Sequence, residues 1–145
     1  MTETYVFDTE AVIAYLYGEP GHEVVAEYLT AVRDGDAEGL LAETNAVEVF
    51  YLVARFESPG ASPTDSSRRA ADRDLRALQR LGVDIRRADW RAVGEIKAAG
   101  HISLADAHAV ALAVETDGTL LAGGDDDFDE LPVDVAVTRF RDGGV

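Results

Sequence analysis

Tyr5-Val6-Phe7-Asp8-Thr9-Glu10-Ala11-Val12-Ile13-Ala14-Tyr15-Leu16 is the stretch that decides how this chain folds. Residues 4–8 alternate too little for a half-exposed strand, so they read as a strand buried on both faces, as in a parallel sheet. Directly afterwards, Ala11, Val12, Ala14, Tyr15 and Leu16 recur at helical spacing. Asp8 stands at the joint, placed to cap a helix that begins at Thr9.

The same alternation continues outward. Gly18-Glu19-Pro20-Gly21 breaks the first helix, and a second is expected over residues 21–33. Asp34-Gly35-Asp36 turns the chain into a short strand, Leu40-Leu41-Ala42, after which Thr44 can cap a helix from residue 45 to 57. Residues 58–66 form a loop too short to link domains, and a polar helix follows over 65–81. Val83-Asp84-Ile85 fits a strand, and Asp89 can cap a helix over 90–99 that Gly100 closes. Ser103 opens the next helix, which ends near Thr116, with strands expected over 119–122 and 133–137. Strands that alternate with helices predict an α/β domain around a mainly parallel sheet, with residues 1–145 forming one domain. In such sheets ligands gather at the carboxyl ends of the strands, where Asp8 and Asp125 fall.

Composition narrows the chemistry. A hydrophobic content of 47% suits a folded core, and the absence of cysteine excludes disulfides, thiolate metal sites and cysteine nucleophiles. No apolar run approaches the ~20 residues of a spanning helix, and Met1-Thr2-Glu3-Thr4 lacks the basic start of a signal peptide. A cytoplasmic protein is expected. Its net charge is −15, and Lys97 is the one lysine among 13 cations. So acidic and lysine-poor a surface suits a halophilic cytoplasm, where molar salt screens self-repulsion over roughly 3 Å. It opposes a broad electrostatic grip on nucleic acid, but bound metal ions or a local arginine patch can supply the missing field. Eight arginines between Arg68 and Arg91 are candidates for such a patch. Their blander reading is a solvated helix with pairs such as Asp72 with Arg76 and Asp65 with Arg69.

Four acids interrupt core-type segments, where a charge is costly without a partner. Asp8 ends Tyr5-Val6-Phe7; Glu48 interrupts Ala46-Val47-x-Val49-Phe50; Asp106 opens the apolar stretch 104–114; Asp125 follows Leu120-Leu121-Ala122-Gly123-Gly124. Each has a structural alternative: a cap for Asp8, the helix dipole for Glu48, a capping-box pattern for Ser103 to Asp106, and a solvated acidic run for Asp125. Together they suggest one shared partner, and a hard divalent cation, Mg²⁺ or Mn²⁺, suits an all-oxygen set. His22, His101 and His108 read as structural. Gly123-Gly124 lacks a phosphate-cradling frame, and Asp125, Asp127 and Asp129 do not extend into a calcium loop.

Val6-Phe7-Asp8-Thr9, Thr44-Asn45-Ala46-Val47-Glu48, Ser103-Leu104-Ala105-Asp106-Ala107 and Leu121-Ala122-Gly123-Gly124-Asp125-x-x-Phe128 resemble, in order and spacing, the four motifs of PIN-domain ribonucleases. The likeness is greatest to the VapC toxins of type II toxin–antitoxin pairs. It covers essentially the whole chain and implies a three-layer α/β/α fold with a mainly parallel central sheet. It also implies Mg²⁺- or Mn²⁺-dependent cleavage of RNA by activated water, an antitoxin partner and a homodimer. Asp8, Glu48, Asp106 and Asp125 match the family's catalytic, metal-holding acids. Asp8 is expected as the central ligand, Asp106 and Asp125 complete the shell, and Glu48 holds a water or a second ion. Asp127 is a candidate auxiliary ligand, and Thr9 and Ser103 are candidates for hydrogen bonds behind the ligands or to phosphate. Two departures stand out. Gly123 occupies a position where many relatives carry Thr or Ser, and Glu10 one where a small polar residue is common.

Two rival readings follow from the same residues. A haloacid-dehalogenase-like phosphatase would use Asp8 as nucleophile, but it expects an Asp where Glu10 stands and a lysine near the phosphate. A degenerate PIN domain would only bind a partner.

Overall fold

The computed structural model describes residues 2–124 and 128–141. Five parallel strands form one sheet: β1 (Glu3–Phe7), β2 (Ala37–Ala42), β3 (Val83–Arg86), β4 (Thr119–Ala122) and β5 (Ala136–Arg139), in the order β3-β2-β1-β4-β5. Six helices join them: α1 (Thr9–Tyr17), α2 (His22–Arg33), α3 (Glu43–Phe56), α4 (Asp65–Leu81), α5 (Trp90–Ala99) and α6 (Leu104–Glu115). The expected α/β/α arrangement is therefore present.

The period of two along each strand divides the core. Phe7, Leu41 and Leu121 are in register across the three central strands and pack with α1 to α4 on one face. Their neighbours Val6, Leu40 and Leu120 face the other way, against α5 and α6. All six are at most 1% exposed, so the central strands are covered on both faces, as their unbroken apolar runs require. Burying a Leu or Phe in this way contributes roughly 1.5–3 kcal/mol.

Three boundaries differ from the sequence expectation. β2 begins at Ala37 rather than Leu40, because Gly39 belongs to the strand. A Cβ on Gly39 would stand 2.8 Å from Val32 Cγ2, so this glycine marks the close approach of α2 and not a turn. α3 begins at Glu43, with extended Ala42 as a cap that makes no side-chain bond, instead of being capped by Thr44. β2 runs straight into the helix, which leaves Asn45 turned into the core. β5 covers Ala136–Arg139 rather than 133–137. The alternating Val133, Val135 and Val137 all pack on the α5/α6 face of the sheet, but of these Val137 pairs, with Leu120.

No helix is long and apolar enough to cross a membrane, among the described residues.

Candidate active site

β1 carries its chain direction past the sheet edge and delivers Asp8 to the carboxyl end. Asp8 N–H still donates to Leu121 O of β4 (3.1 Å), so the backbone at this point is fixed by both strands. The residue is extended (φ −81, ψ 174), and its Oδ1 caps α1 by accepting Ala11 N–H at 2.6 Å. Its Oδ2 accepts Gly123 N–H at 3.3 Å. The helix-cap reading of Asp8 thus holds, and each of its oxygens keeps lone pairs that the amides do not use.

Asp8 is only 2% exposed. Burial pushes its carboxyl up from the usual 3.8 to about 8. The Ala11 amide opposes that rise, the charge of Glu10 adds to it, the Gly123 amide opposes it, and Asp106 adds a little more. A group in this state is a poor isolated anion and a good candidate for a partner cation.

Around Asp8 opens a cavity of about 340 Å³. Thr9 and Glu10 of α1, Glu48 of α3, and Ser103 and Asp106 at the start of α6 supply its polar wall, with Ile13, Leu52 and Phe128 as its apolar part. Three of the four expected acids therefore share one cavity. Asp125 and Asp127 lie outside the described residues. Other concavities have volumes of about 320, 350 and 410 Å³, so size does not single this one out; the buried carboxylate of Asp8 does.

Glu48 reaches the cavity from a helix that is less enclosed than its apolar neighbours suggested, since Val47 is 60% exposed. Asp106 and Glu48 are half-buried. Ser103 Oγ caps α6 by accepting Asp106 N–H at 3.1 Å, which fixes the turn that carries Asp106. Thr9 Oγ1 accepts from Asn45 Nδ2 at 2.9 Å, both residues being buried. With its oxygen engaged by Asn45, the Thr9 hydroxyl proton is available to an acceptor in the cavity.

Whether these residues suit a divalent cation can be judged from their atoms. The donor set is oxygen only, from carboxylates and hydroxyls, as Mg²⁺ and Mn²⁺ prefer. Asn45 Oδ1, one bond behind Thr9, is a buried oxygen without a hydrogen-bond partner among the described residues, which marks the region as polar in excess of its internal bonds. Among the described residues, however, no three His, Asp or Glu side chains stand close enough to coordinate an ion by themselves. The site is a carboxylate-walled cavity rather than a preformed cage, and its chemistry fits a hard cation.

Several side chains took places the sequence did not disclose. Asn45 was visible only as part of a motif, and its signal is a polar residue preceding an inward helix face. Arg141 pairs with Glu10 and Glu19, and Arg139 Nη1 donates to Gly123 O at 2.6 Å. Two arginines at alternate positions, Arg139 closing β5 and Arg141 two residues on, were the available hint. Along α4, Arg76 pairs with Asp72 at 2.7 Å as expected, but Asp65 pairs with Arg68 rather than Arg69. The i,i+3 neighbour wins there because Arg68 also donates to Pro63 O. None of His22, His101 and His108 lines the cavity; His108 Nδ1 bonds Leu104 O at 2.9 Å within its own helix.

Comparison with known proteins agrees with this geometry. The family model described as PIN domain matches residues 5–134. Among solved structures, VapBC2 from Rickettsia felis bound to a promoter DNA fragment superposes with a TM-score of 0.69 at 13% identity, covering 94% of this chain and 98% of that one. FitAB bound to a DNA fragment gives 0.65 at 20% identity, covering 94% of each chain. FitAcB from Neisseria gonorrhoeae gives 0.64 at 18% identity, covering 92% of this chain and 95% of that one. At these identities the superpositions speak for the fold. Comparison with curated protein sequences gives no match. A family model that spans most of the chain, on a parallel sheet ordered β3-β2-β1-β4-β5, assigns it plainly: the chain belongs to the PIN domain family.

Proposed function

We propose that this protein is a metal-dependent endoribonuclease, the VapC-type toxin of a toxin–antitoxin pair. The observation that carries the reading is the cavity in which buried Asp8 meets Glu48 and Asp106 at the carboxyl ends of the strands. PIN-family membership and the fold shared with VapBC2 support it. Asp8, Glu48 and Asp106 would hold Mg²⁺ or Mn²⁺, with Asp125 as a fourth ligand and Asp127 as an auxiliary one. When bound, the cation neutralises phosphate charge and makes water a nucleophile near neutral pH. The chain's own contribution is placement. Asp8 is locked by two backbone amides, Ser103 fixes the turn bearing Asp106, and Asn45 orients Thr9 toward the cavity. Ile13, Leu52 and Phe128 limit water on the apolar side.

Partners and setting belong to the same proposal: RNA as substrate, an antitoxin chain as inhibitor, a homodimer, and a cytoplasm of high salt. A phosphatase is disfavoured because the sole lysine, Lys97, lies exposed on α5 and away from the cavity. The deciding experiment is Mn²⁺-dependent cleavage of single-stranded RNA by wild type and Asp8→Asn. Cleavage that chelation stops and that the variant loses by roughly a hundredfold supports the proposal. A phosphoaspartate trapped on Asp8 supports the phosphatase. Metal-induced thermal stabilisation without any cleavage supports a binding module.

A further inference from the structure

The carboxylate of Glu10 fills the space that a side chain at position 123 would need. A Cβ on Gly123 would come within 2.2 Å of Glu10 Oε2 and 2.5 Å of its Oε1. Gly123 is not among the residues with positive φ, so its backbone does not demand glycine; the neighbouring carboxylate does. The Gly123 peptide cannot easily retreat, because its N–H is held by Asp8 and its carbonyl by Arg139.

Glu10 is held from the other side by Arg141. That guanidinium donates from Nη1 to Glu10, from Nη2 to Glu19 at 3.2 Å and from Nε to Pro20 O at 2.7 Å. Its side chain is 25% exposed and that of Glu10 34%. The adjoining Phe140 is buried, and its N–H donates to Ala122 O at 3.0 Å, so Arg141 is presented from an anchored segment. Glu10 nevertheless lines the same cavity as Asp8, Glu48 and Asp106. One edge of its carboxylate thus meets a cation that the chain supplies, beside a cavity walled by three other acids. A fixed positive charge at that spot weakens the cavity's pull on any other cation.

We propose that Glu10 is a further cation-facing carboxylate of this cavity, admitted because residue 123 is glycine, and that Arg141 is a built-in counter-ion competing with the divalent ion for it. The proposal rests on the reading of the cavity as a divalent-cation site. It joins the two departures at positions 10 and 123 into a single exchange: the side chain missing at 123 is replaced by a carboxylate from α1.

Calorimetric titration with Mn²⁺ tests it without reference to catalysis. Glu10→Gln is expected to weaken Mn²⁺ binding at least about tenfold. Gly123→Ala removes no charge but displaces the Glu10 carboxylate, and is expected to weaken binding by a similar factor. In the Glu10→Ala background, Gly123→Ala should cost nothing further, since the two changes act through one group. Arg141→Gln is expected to tighten binding roughly three- to tenfold by removing the competing charge. Circular dichroism melts confirm that each variant folds. Binding by Glu10→Gln within about twofold of wild type, while Asp8→Asn abolishes it, overturns this proposal and leaves the parent reading intact. An additive loss in the Glu10→Ala, Gly123→Ala double variant overturns it too. No Mn²⁺ binding by wild type at millimolar concentration overturns both.

Discussion

Asp8 ends a strand, caps a helix and walls a cavity, and these roles pull on its proton in different directions. The two amides favour the anion, while burial and the charges of Glu10 and Asp106 disfavour it more strongly, leaving the carboxyl at about 8. A folded-state value above the unfolded one means that the folded protein binds this proton more tightly. The stabilising contribution is therefore complete below about pH 4 and is lost as pH rises through about 8. Metal-free protein should accordingly lose stability across that window, and Asp8→Asn should flatten the loss. Melts in chelator are expected to show similar stabilities for the two proteins in acid and a more stable variant above about pH 8. Added Mn²⁺ should reverse the order by raising wild type alone. Behind the cavity, Thr9→Val leaves buried Asn45 Nδ2 without its acceptor and should cost about 1–3 kcal/mol in denaturant unfolding. A loss below about half a kcal/mol would mean that Asn45 finds another partner. Asp8, Glu48 and Asp106 stood out in the chain because charges inside apolar runs are anomalous, and the fold sets all three on one cavity. Asn45 and Arg141 could not, since an amide or a terminal arginine acquires meaning only from what folding sets against it.

At the scale of elements, the strand–helix alternation was legible from periodicity, and its failures have local causes. β2 was expected to begin at Leu40, but Gly39 sits inside the strand, where the approach of Val32 on α2 leaves no room for a Cβ. Gly39→Ala should destabilise the fold by about 1–3 kcal/mol through overpacking, and Val32→Ala in the same chain should recover most of it. Denaturant unfolding of the single and double variants measures both effects. The start of β5 was misplaced because Val133 and Val135 satisfy their apolar character by packing near α5 and α6, without entering the ladder. Alternation reports burial; pairing depends on what the partner strand offers, and β4 offers four residues. Ser103 and Asp89 were correctly legible as caps because that chemistry is wholly local.

Over the whole molecule, the sequence indicated a parallel sheet but not the order of its strands. The order places β1 between β2 and β4, so the carboxyl ends of the central strands converge where α1, α3 and α6 begin. This is why acids far apart in sequence meet. The surface tells a separate story. Most ion pairs of the arginine-rich region are exposed, such as Arg76 with Asp72 and Arg91 with Glu95, and each contributes little. They do not offset a net charge of −15. Raising KCl from about 0.1 M to about 1 M should therefore raise the melting temperature as self-repulsion is screened. A flat or falling curve would show that the acidic surface does not limit stability.

Folding gathers Asp8, Glu48 and Asp106 on one cavity, and the proposed function needs a divalent cation to bind there. Anomalous diffraction from crystals soaked in Mn²⁺ tests this most directly. A peak is expected inside the cavity, at ligand distances of about 2.0–2.3 Å from carboxylate oxygens of Asp8 and at least one of Glu48 and Asp106. A well-diffracting crystal with no peak there, or with Mn²⁺ only on exposed acidic surface, contradicts it.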